Sequence, residues 1–381
     1  MTCEPQSLGV YVHWPYCAKV CPYCDFNVVR DRGRSAEARA LIRAIIVDLE
    51  AHARNLGRRE LTSVFFGGGT PSLMPPDGVA EIIQTAERLW SQDDDLEVTL
   101  EANPADARGG RFAELADAGV NRLSLGVQSL DDRHLQFLGR DHDATTARAA
   151  VELALVAFPR VSIDLIYALP DQTMDEWRIS LADAAAMGPE HISAYQLTIE
   201  PRTAFGRAFG RGQLRLPSTE LSADLFETTQ SVLGGLGFDA YEVSNHALGV
   251  AARARHNLTY WRGGDYVGVG PGAHGRLSHS GNRYATVSPR RVADYIARVE
   301  EFGIGAAQET LTTREVALER LFMGLRTFEG VRTSELEEFQ LSAARMADFD
   351  GWLLIEGGRL VATDRGRAVL DHLVSELTRA A

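Results

Sequence analysis

From Gly9 to about Ile199, short β-branched or aromatic runs alternate with longer amphipathic stretches. A strand buried on both faces reads as a short apolar run, and the helix returning beside it reads with a period near 3.6, so the alternation predicts βα units around a parallel sheet. Six such units are expected, with strands at 10–13, 63–66, 97–101, 122–127, 161–166 and 191–198. The first helix, at 36–55, puts Leu41, Ile45, Leu49 and His52 near one face, and Gly57 follows as its C-cap. A helix at 175–187 begins after Pro170, Asp171 and Thr173, which supply turn and capping chemistry.

Past Glu200 the alternation fails, and the Gly-rich stretch 262–275 is expected to form loops and short strands. The tail from about Thr312 has its own pattern. A helix holding Val316, Leu321, Met323 and Leu325 comes first, then a second helix at 334–339. Short strands at 353–356 and 359–362 and a last helix at 364–377 complete an order that resembles a winged helix. The regions expected are a βα unit array over 1–200, an extension over 201–311 and a winged-helix-like domain over 312–381. Neither an internal repeat nor a low-complexity linker is visible.

Composition narrows the function more than the fold. A chain of 381 residues, 45% hydrophobic and 24% charged, can bury a substantial core without staples. No run approaches the roughly 18 apolar residues that span a bilayer. Residues 1–8 hold Glu4 and no Lys or Arg, so neither the positive nor the apolar segment of a secretory signal is present, and a cytoplasmic location is expected. The net charge of -13 repels phosphate backbones and makes nucleic acid a disfavoured partner.

Three of the four cysteines fall in Cys17-Ala-Lys-Val-Cys21-Pro-Tyr-Cys24, just after the first predicted strand. Neighbours this close are poorly placed for disulfides, and in a reducing compartment clustered thiols read as metal ligands. Three thiolates leave a four-iron cube one ligand short, and a site with one position open is built for a ligand that reacts. S-adenosylmethionine, through its amino and carboxylate groups, suits that position. Two plainer readings stand beside this one: a structural zinc site that adds His13 or Cys3, and a loop that binds nothing.

The segment from Tyr11-Val-His13-Trp-Pro-Tyr-Cys17 through Cys24-Asp-Phe26 resembles the cluster motif of the radical S-adenosylmethionine superfamily. Its flanks are similar to the oxygen-independent coproporphyrinogen oxidase group. Further segments agree in order: Phe66 to Pro71, Glu101 to Pro104, Asn121 to Ser129, Asp164 to Pro170 and His256 to Trp261. The resemblance implies an α/β fold: a partial (β/α)6 TIM-like barrel carrying the 4Fe-4S loop, a C-terminal α+β extension and the winged-helix-like tail. It further implies that Tyr11, Tyr23, Gly68, Gly69, Thr70, Glu101, Gln128, Arg140 and Asp164 contact S-adenosylmethionine.

On the predicted strands these polar residues fall at or beyond C-terminal ends, the rim where barrel enzymes assemble their sites. The Gly67–Gly69 turn would bring backbone amides to the methionine part of the ligand, although a simple tight turn explains it too. Glu101 and Asp164 end apolar strands, where a carboxylate is costly unless it meets a partner. Arg140 taken by itself reads as a surface salt bridge.

Gly270-Pro-Gly272-Ala-His-Gly275 fits G-x-G-x-x-G, but Ser278, Ser280, Gly281 and Asn282 follow where a helix should start, so a dinucleotide site is rejected. His274 is read as a loop or packing residue. His256, beside Tyr260 and Trp261, offers an imidazole among flat apolar faces, as an axial haem ligand requires, although a lone histidine in such company often serves packing alone.

Members of the resembled group divide by task. Some oxidatively decarboxylate coproporphyrinogen, while the HemW-type branch acts as haem chaperones. Only ten residues precede Tyr11, where the oxidases carry a longer extension that helps enclose substrate. His256-Asn257-Leu-Thr-Tyr260-Trp261 matches the H-N-x-x-Y-W pattern linked to haem in the chaperone branch. The expected cofactors are a 4Fe-4S cluster and S-adenosylmethionine, with haem as cargo for respiratory or membrane-associated acceptor proteins. Coproporphyrinogen oxidation and a cluster-sensing nucleic-acid regulator are the alternatives.

Overall fold

The computed structural model describes residues 6–33, 35–339, 341 and 346–379. The chain opens with β1 (Ser7–Trp14), followed by β2 (Tyr16–Cys17) and β3 (Val29–Arg30), which pair only with each other and clasp the cysteine loop between them. The strands β4 (Glu60–Gly68), β5 (Ser91–Ala102), β6 (Arg122–Gln128), β7 (Arg160–Tyr167) and β8 (His191–Gln196) follow, with helices between them, each parallel to its neighbour. All six predicted strands are present.

The extension adds β9 (Asp239–Glu242), β10 (Asn245–Ala247), β11 (Asp265–Val269), β12 (His274–His279), β13 (Asn282–Val287) and β14 (Ala307–Thr310). These join the same sheet at both of its edges, in the order β14-β13-β12-β11-β1-β4-β5-β6-β7-β8-β10-β9. One departure from expectation matters for the site. β11, inside the Gly-rich stretch expected to hold loops and short strands, lies parallel to β1 and is a seventh parallel strand. That placement could not be read locally because it comes from a partner about 257 positions earlier in the chain.

The two-residue strand period sorts the side chains. Val10, Val12, Val64, Phe66, Val98, Leu100, Leu123, Leu125, Ile163, Leu165, Ile192 and Ala194 are buried in the main apolar core, which the helices complete. The alternate positions Thr99, Glu101, Ser124, Ser162, Asp164 and Ser193 line a cavity on the concave side. The open barrel therefore encloses a polar chamber instead of stacked aliphatic layers. The helix Ser35–Leu56 buries Leu41, Ile45, Leu49 and His52, and Gly57 caps it at φ 66°. Thr173 closes a capping box with Glu176 at the head of the helix Met174–Ala186.

The tail has its own core, in which Leu321, Leu325, Leu336, Leu360 and Leu377 are fully buried. Met323, grouped with them in sequence, instead faces outward. The predicted wing strands are β16 (Leu353–Glu356) and β17 (Arg359–Ala362), and β15 (Val331–Arg332) makes the sheet three-stranded. The single last helix expected is two, Asp364–Ala368 and Leu370–Arg379, broken at Val369.

Candidate functional site

β1 ends at Trp14, and Pro15 starts the turn that carries the chain into β2 and out over the strand ends. The hydrogen bonds Val29 N–H to Pro15 O (2.8 Å) and Asp31 N–H to Cys17 O (2.7 Å) close this loop at its base. Within it, Cys24 N–H turns back to Cys21 O. Cys17 is buried, Cys21 and Cys24 are half-buried, and none is in a disulfide. Burial raises the Cys17 thiol, partly offset by the Thr70 hydroxyl beside it, and pushes Cys24 up to about 11. Thiols held protonated in this way ionise when a cation arrives to ligate them.

Among the described residues no three Cys, His, Asp or Glu side chains gather closely enough to hold one ion. A four-iron cube asks for something different, one thiolate at each of three corners. The zinc alternative finds no ready fourth ligand in His13, whose Nδ1 accepts from Tyr11 OH (2.9 Å) and whose Nε2 donates to Asn27 O (2.9 Å). Cys3 lies outside the described residues.

A cavity of about 510 Å³ runs from the three cysteines down into the barrel. Tyr23, Gly68, Gly69, Thr70, Glu101, Gln128, Arg140 and Asp164 all line it. Tyr11 does not; it lines a second cavity of about 790 Å³ that shares Asp25, Phe26, Gly68 and Glu101 with the first.

Arg140 is no surface ion pair. Its guanidinium reaches Cys21 Sγ (3.3 Å), Tyr23 OH (3.4 Å), Asn103 Oδ1 (3.2 Å) and Gly126 O (2.9 Å), and its buried Nε has no partner. Glu101 accepts from Gly68 N–H (3.1 Å), yet burial and the nearby Asp164 push its carboxyl up to about 7. Burial raises Asp164 as well; its Oδ2 accepts from Ser124 (2.8 Å) while the buried Oδ1 is unpaired. Two carboxylates disfavoured by burial, with repulsion from Asp164 added at Glu101 and one oxygen unpaired, suit hydroxyl donors or an ammonium group. Gln128 sits at φ 66°, beside a register shift in β6, a strained conformation of the kind that collects at sites.

The glycine turn differs from expectation. The Gly68 amide serves Glu101, Gly69 N–H bonds Trp14 O (2.7 Å) and Thr70 N–H bonds Tyr16 O (2.8 Å), so none of the three points freely at a ligand. Glycine is needed here for close approach: a Cβ on Gly69 would sit 2.7 Å from Tyr16 O, and one on Gly68 2.5 Å from the His13 ring.

His256 also departs from expectation. It is 1% exposed, with Nδ1 bonded to Ser63 (2.8 Å) and Nε2 bonded to Tyr260 OH. His256 lines neither of the two cavities, and burial holds the imidazole down to about 3. The short helix Arg255–Trp261 turns His256 inward and leaves Tyr260 and Trp261 on the wall of the second cavity. Asn103, Ser124 and Ser193 are functional candidates that the sequence reading passed over. Only the strand period, which puts Ser124 and Ser193 on the chamber face with Glu101 and Asp164, could have found the two serines.

A model of the Radical SAM superfamily matches residues 11–184, and a model of the HemN C-terminal domain matches 311–369. The chain is 39% identical to radical S-adenosyl methionine domain-containing protein 1, mitochondrial, of Bos taurus, over 98% of this chain and 87% of that one. It is 35% identical to the heme chaperone HemW of Mycobacterium tuberculosis (98% and 95%) and 33% identical to that of Haemophilus influenzae (93% and 95%). Coproporphyrinogen III oxidase (HemN) of Escherichia coli shares the fold, with a TM-score of 0.80 at 21% identity over 99% of this chain and 91% of that one.

Proposed function

Because the chain belongs to the radical S-adenosylmethionine superfamily, in its HemW-type group, we propose that it is a haem chaperone that binds a 4Fe-4S cluster, S-adenosylmethionine and haem. Cys17, Cys21 and Cys24 hold three irons of the cluster, and the bound cluster supplies an electron that S-adenosylmethionine can accept. Arg140, set between the Cys21 thiol and the Asn103 amide, fixes the cysteine loop over the chamber. Glu101 and Asp164 take the hydroxyl or ammonium donors of S-adenosylmethionine, with Tyr23, Thr70 and Gln128 around it. Haem is then handed to a respiratory or membrane-associated acceptor. No helix among the described residues is long and apolar enough to cross a membrane.

The observation that carries this reading is the second cavity. At about 790 Å³ it lies within the roughly 300–1,000 Å³ of small-molecule sites, and it shares a wall with the cysteine cavity. The test is anaerobic reconstitution followed by parallel assays of haem uptake and of coproporphyrinogen turnover with S-adenosylmethionine and a reductant. Stoichiometric haem uptake without turnover is expected. Robust turnover would assign the oxidase reaction instead, and stoichiometric zinc with negligible iron would end the cluster reading.

A further inference from the structure

The second cavity has three chemical features in its wall. Tyr260, Trp261 and Tyr266 give it an aromatic wall, with the Tyr260 and Tyr266 rings crossed at 81°. Among its arginines, Arg276, Arg283 and Arg320 are committed to Glu319, Asp265 and Glu335. Arg202 and Arg290, both exposed, have no carboxylate partner among the described residues.

The third feature is an imidazole. The chain has ten histidines, and two of them, His13 and His274, line this cavity. Both His13 nitrogens are bonded internally. His274 is exposed, and among the described residues its ring takes no hydrogen bond.

The backbone fixes where His274 stands. It is the first residue of β12, just after the Gly270-Pro271-Gly272 turn whose motif fits no dinucleotide. Gly270 (φ 99°) passes so close to β1 that a Cβ there would lie 2.4 Å from His13 O. A Cβ on Gly272 would lie 2.6 Å from Asn27 Nδ2, and one on Gly268 only 1.9 Å from His274 O. Asn27, three residues beyond Cys24, donates to Pro271 O and Arg290 O, both at 2.8 Å. The cysteine loop therefore buttresses both His274 and Arg290, whose Nε also donates to Asn27 Oδ1 (3.4 Å).

We infer that this cavity is the haem site, with His274 as the axial ligand to iron, Arg202 and Arg290 as partners of the two propionates, and Tyr260, Trp261 and Tyr266 as the aromatic wall beside the macrocycle. The inference rests on the haem-chaperone reading and moves the ligand away from His256, which acts on the site only by holding Tyr260. Partial burial and the neighbouring Arg276 and Arg290 lower the His274 imidazole from its usual value. It is thus the free base at neutral pH, the form that coordinates iron.

The test titrates ferric haem into anaerobic, cluster-loaded full-length protein, read as difference spectra against the same protein without haem. Wild type is expected to give a histidine-ligated spectrum. His274→Gly should lose that spectrum and about tenfold or more in affinity, regain the spectrum on adding free imidazole, and melt at the wild-type temperature. Arg202→Glu with Arg290→Glu should weaken binding without changing the ligation spectrum. If wild type binds haem and His274→Gly keeps the same spectrum and affinity, the assignment of His274 is wrong while the chaperone reading stands. If wild type takes up no haem, both fall.

Discussion

Glu101 and Asp164 are a pair of carboxylates held at a cost inside the chamber. Burial raises both and the nearby Asp164 adds to the rise at Glu101, to about 7, so a cation arriving beside them is favoured by the ionised form. Affinity for S-adenosylmethionine is therefore expected to rise with pH through the region near 7. Glu101→Gln should flatten that profile and weaken binding by about tenfold; calorimetric titration across the range checks it, and a variant profile matching wild type would take Glu101 out of the contact. His256 makes the opposite case, a buried histidine kept neutral. Its folded value near 3 lies below the unfolded 6.5, so its contribution to stability is present above 6.5 and is lost as pH falls toward 3. His256→Asn is expected to cost about 2–3 kcal/mol at neutral pH by leaving Ser63 and Tyr260 without a partner. The same variant should show a shallower acid decline in urea unfolding, shallower and not absent because His246, held down to about 4, titrates in the same range.

At the scale of the element, the turn after β4 and the strand before the cysteines work as one unit. Gly69 and Thr70 hydrogen-bond the backbone of Trp14 and Tyr16, so the position of Cys17 depends on how closely two loops approach. A methyl group on Gly69 has no space at 2.7 Å from Tyr16 O. Gly69→Ala should therefore push the cysteine loop outward and lower the iron retained after reconstitution by roughly half or more, measured as iron and sulfide per chain. Full iron content in that variant would show that the loop is set elsewhere. The strand elements themselves were legible because apolar alternation in Val10/Val12, Val98/Leu100 and Ile163/Leu165 is a local signal. The place of β11 was not, since Asp265–Val269 becomes a parallel strand of the barrel only by finding β1.

For the whole molecule, the question is how the tail meets the barrel. Arg320 joins them: Nη1 donates to Trp261 O (2.7 Å) at the end of the H-N-x-x-Y-W helix, while the rest of the guanidinium binds Glu335 in the tail. Glu242, fully buried at the sheet edge, ion-pairs with Arg326, and its backbone bridges to Thr327. Arg320→Ala removes a fixed point on the wall of the second cavity and leaves Trp261 O without that donor. Faster proteolysis between barrel and tail is expected, together with weaker haem binding; unchanged digestion would assign the attachment to the Glu242 contacts and the Arg262–Glu329 and Arg276–Glu319 pairs.

The sequence by itself determined the elements and the ligand-bearing loop. Period-two and period-3.6 patterns, a Thr173 cap and three closely spaced cysteines are all local, and local order is what neighbouring residues dictate. Only the tertiary structure decided which polar groups are free. Arg140 moved from surface to chamber, the Gly68 amide was taken by Glu101 and those of Gly69 and Thr70 by the backbone, and His256 proved bonded at both ring nitrogens while the His274 ring stands on a cavity wall. Whether a nitrogen is spare depends on the folded surroundings: Ser63, 193 positions away, takes one nitrogen of His256, while the His274 ring meets no hydrogen-bond partner among the described residues.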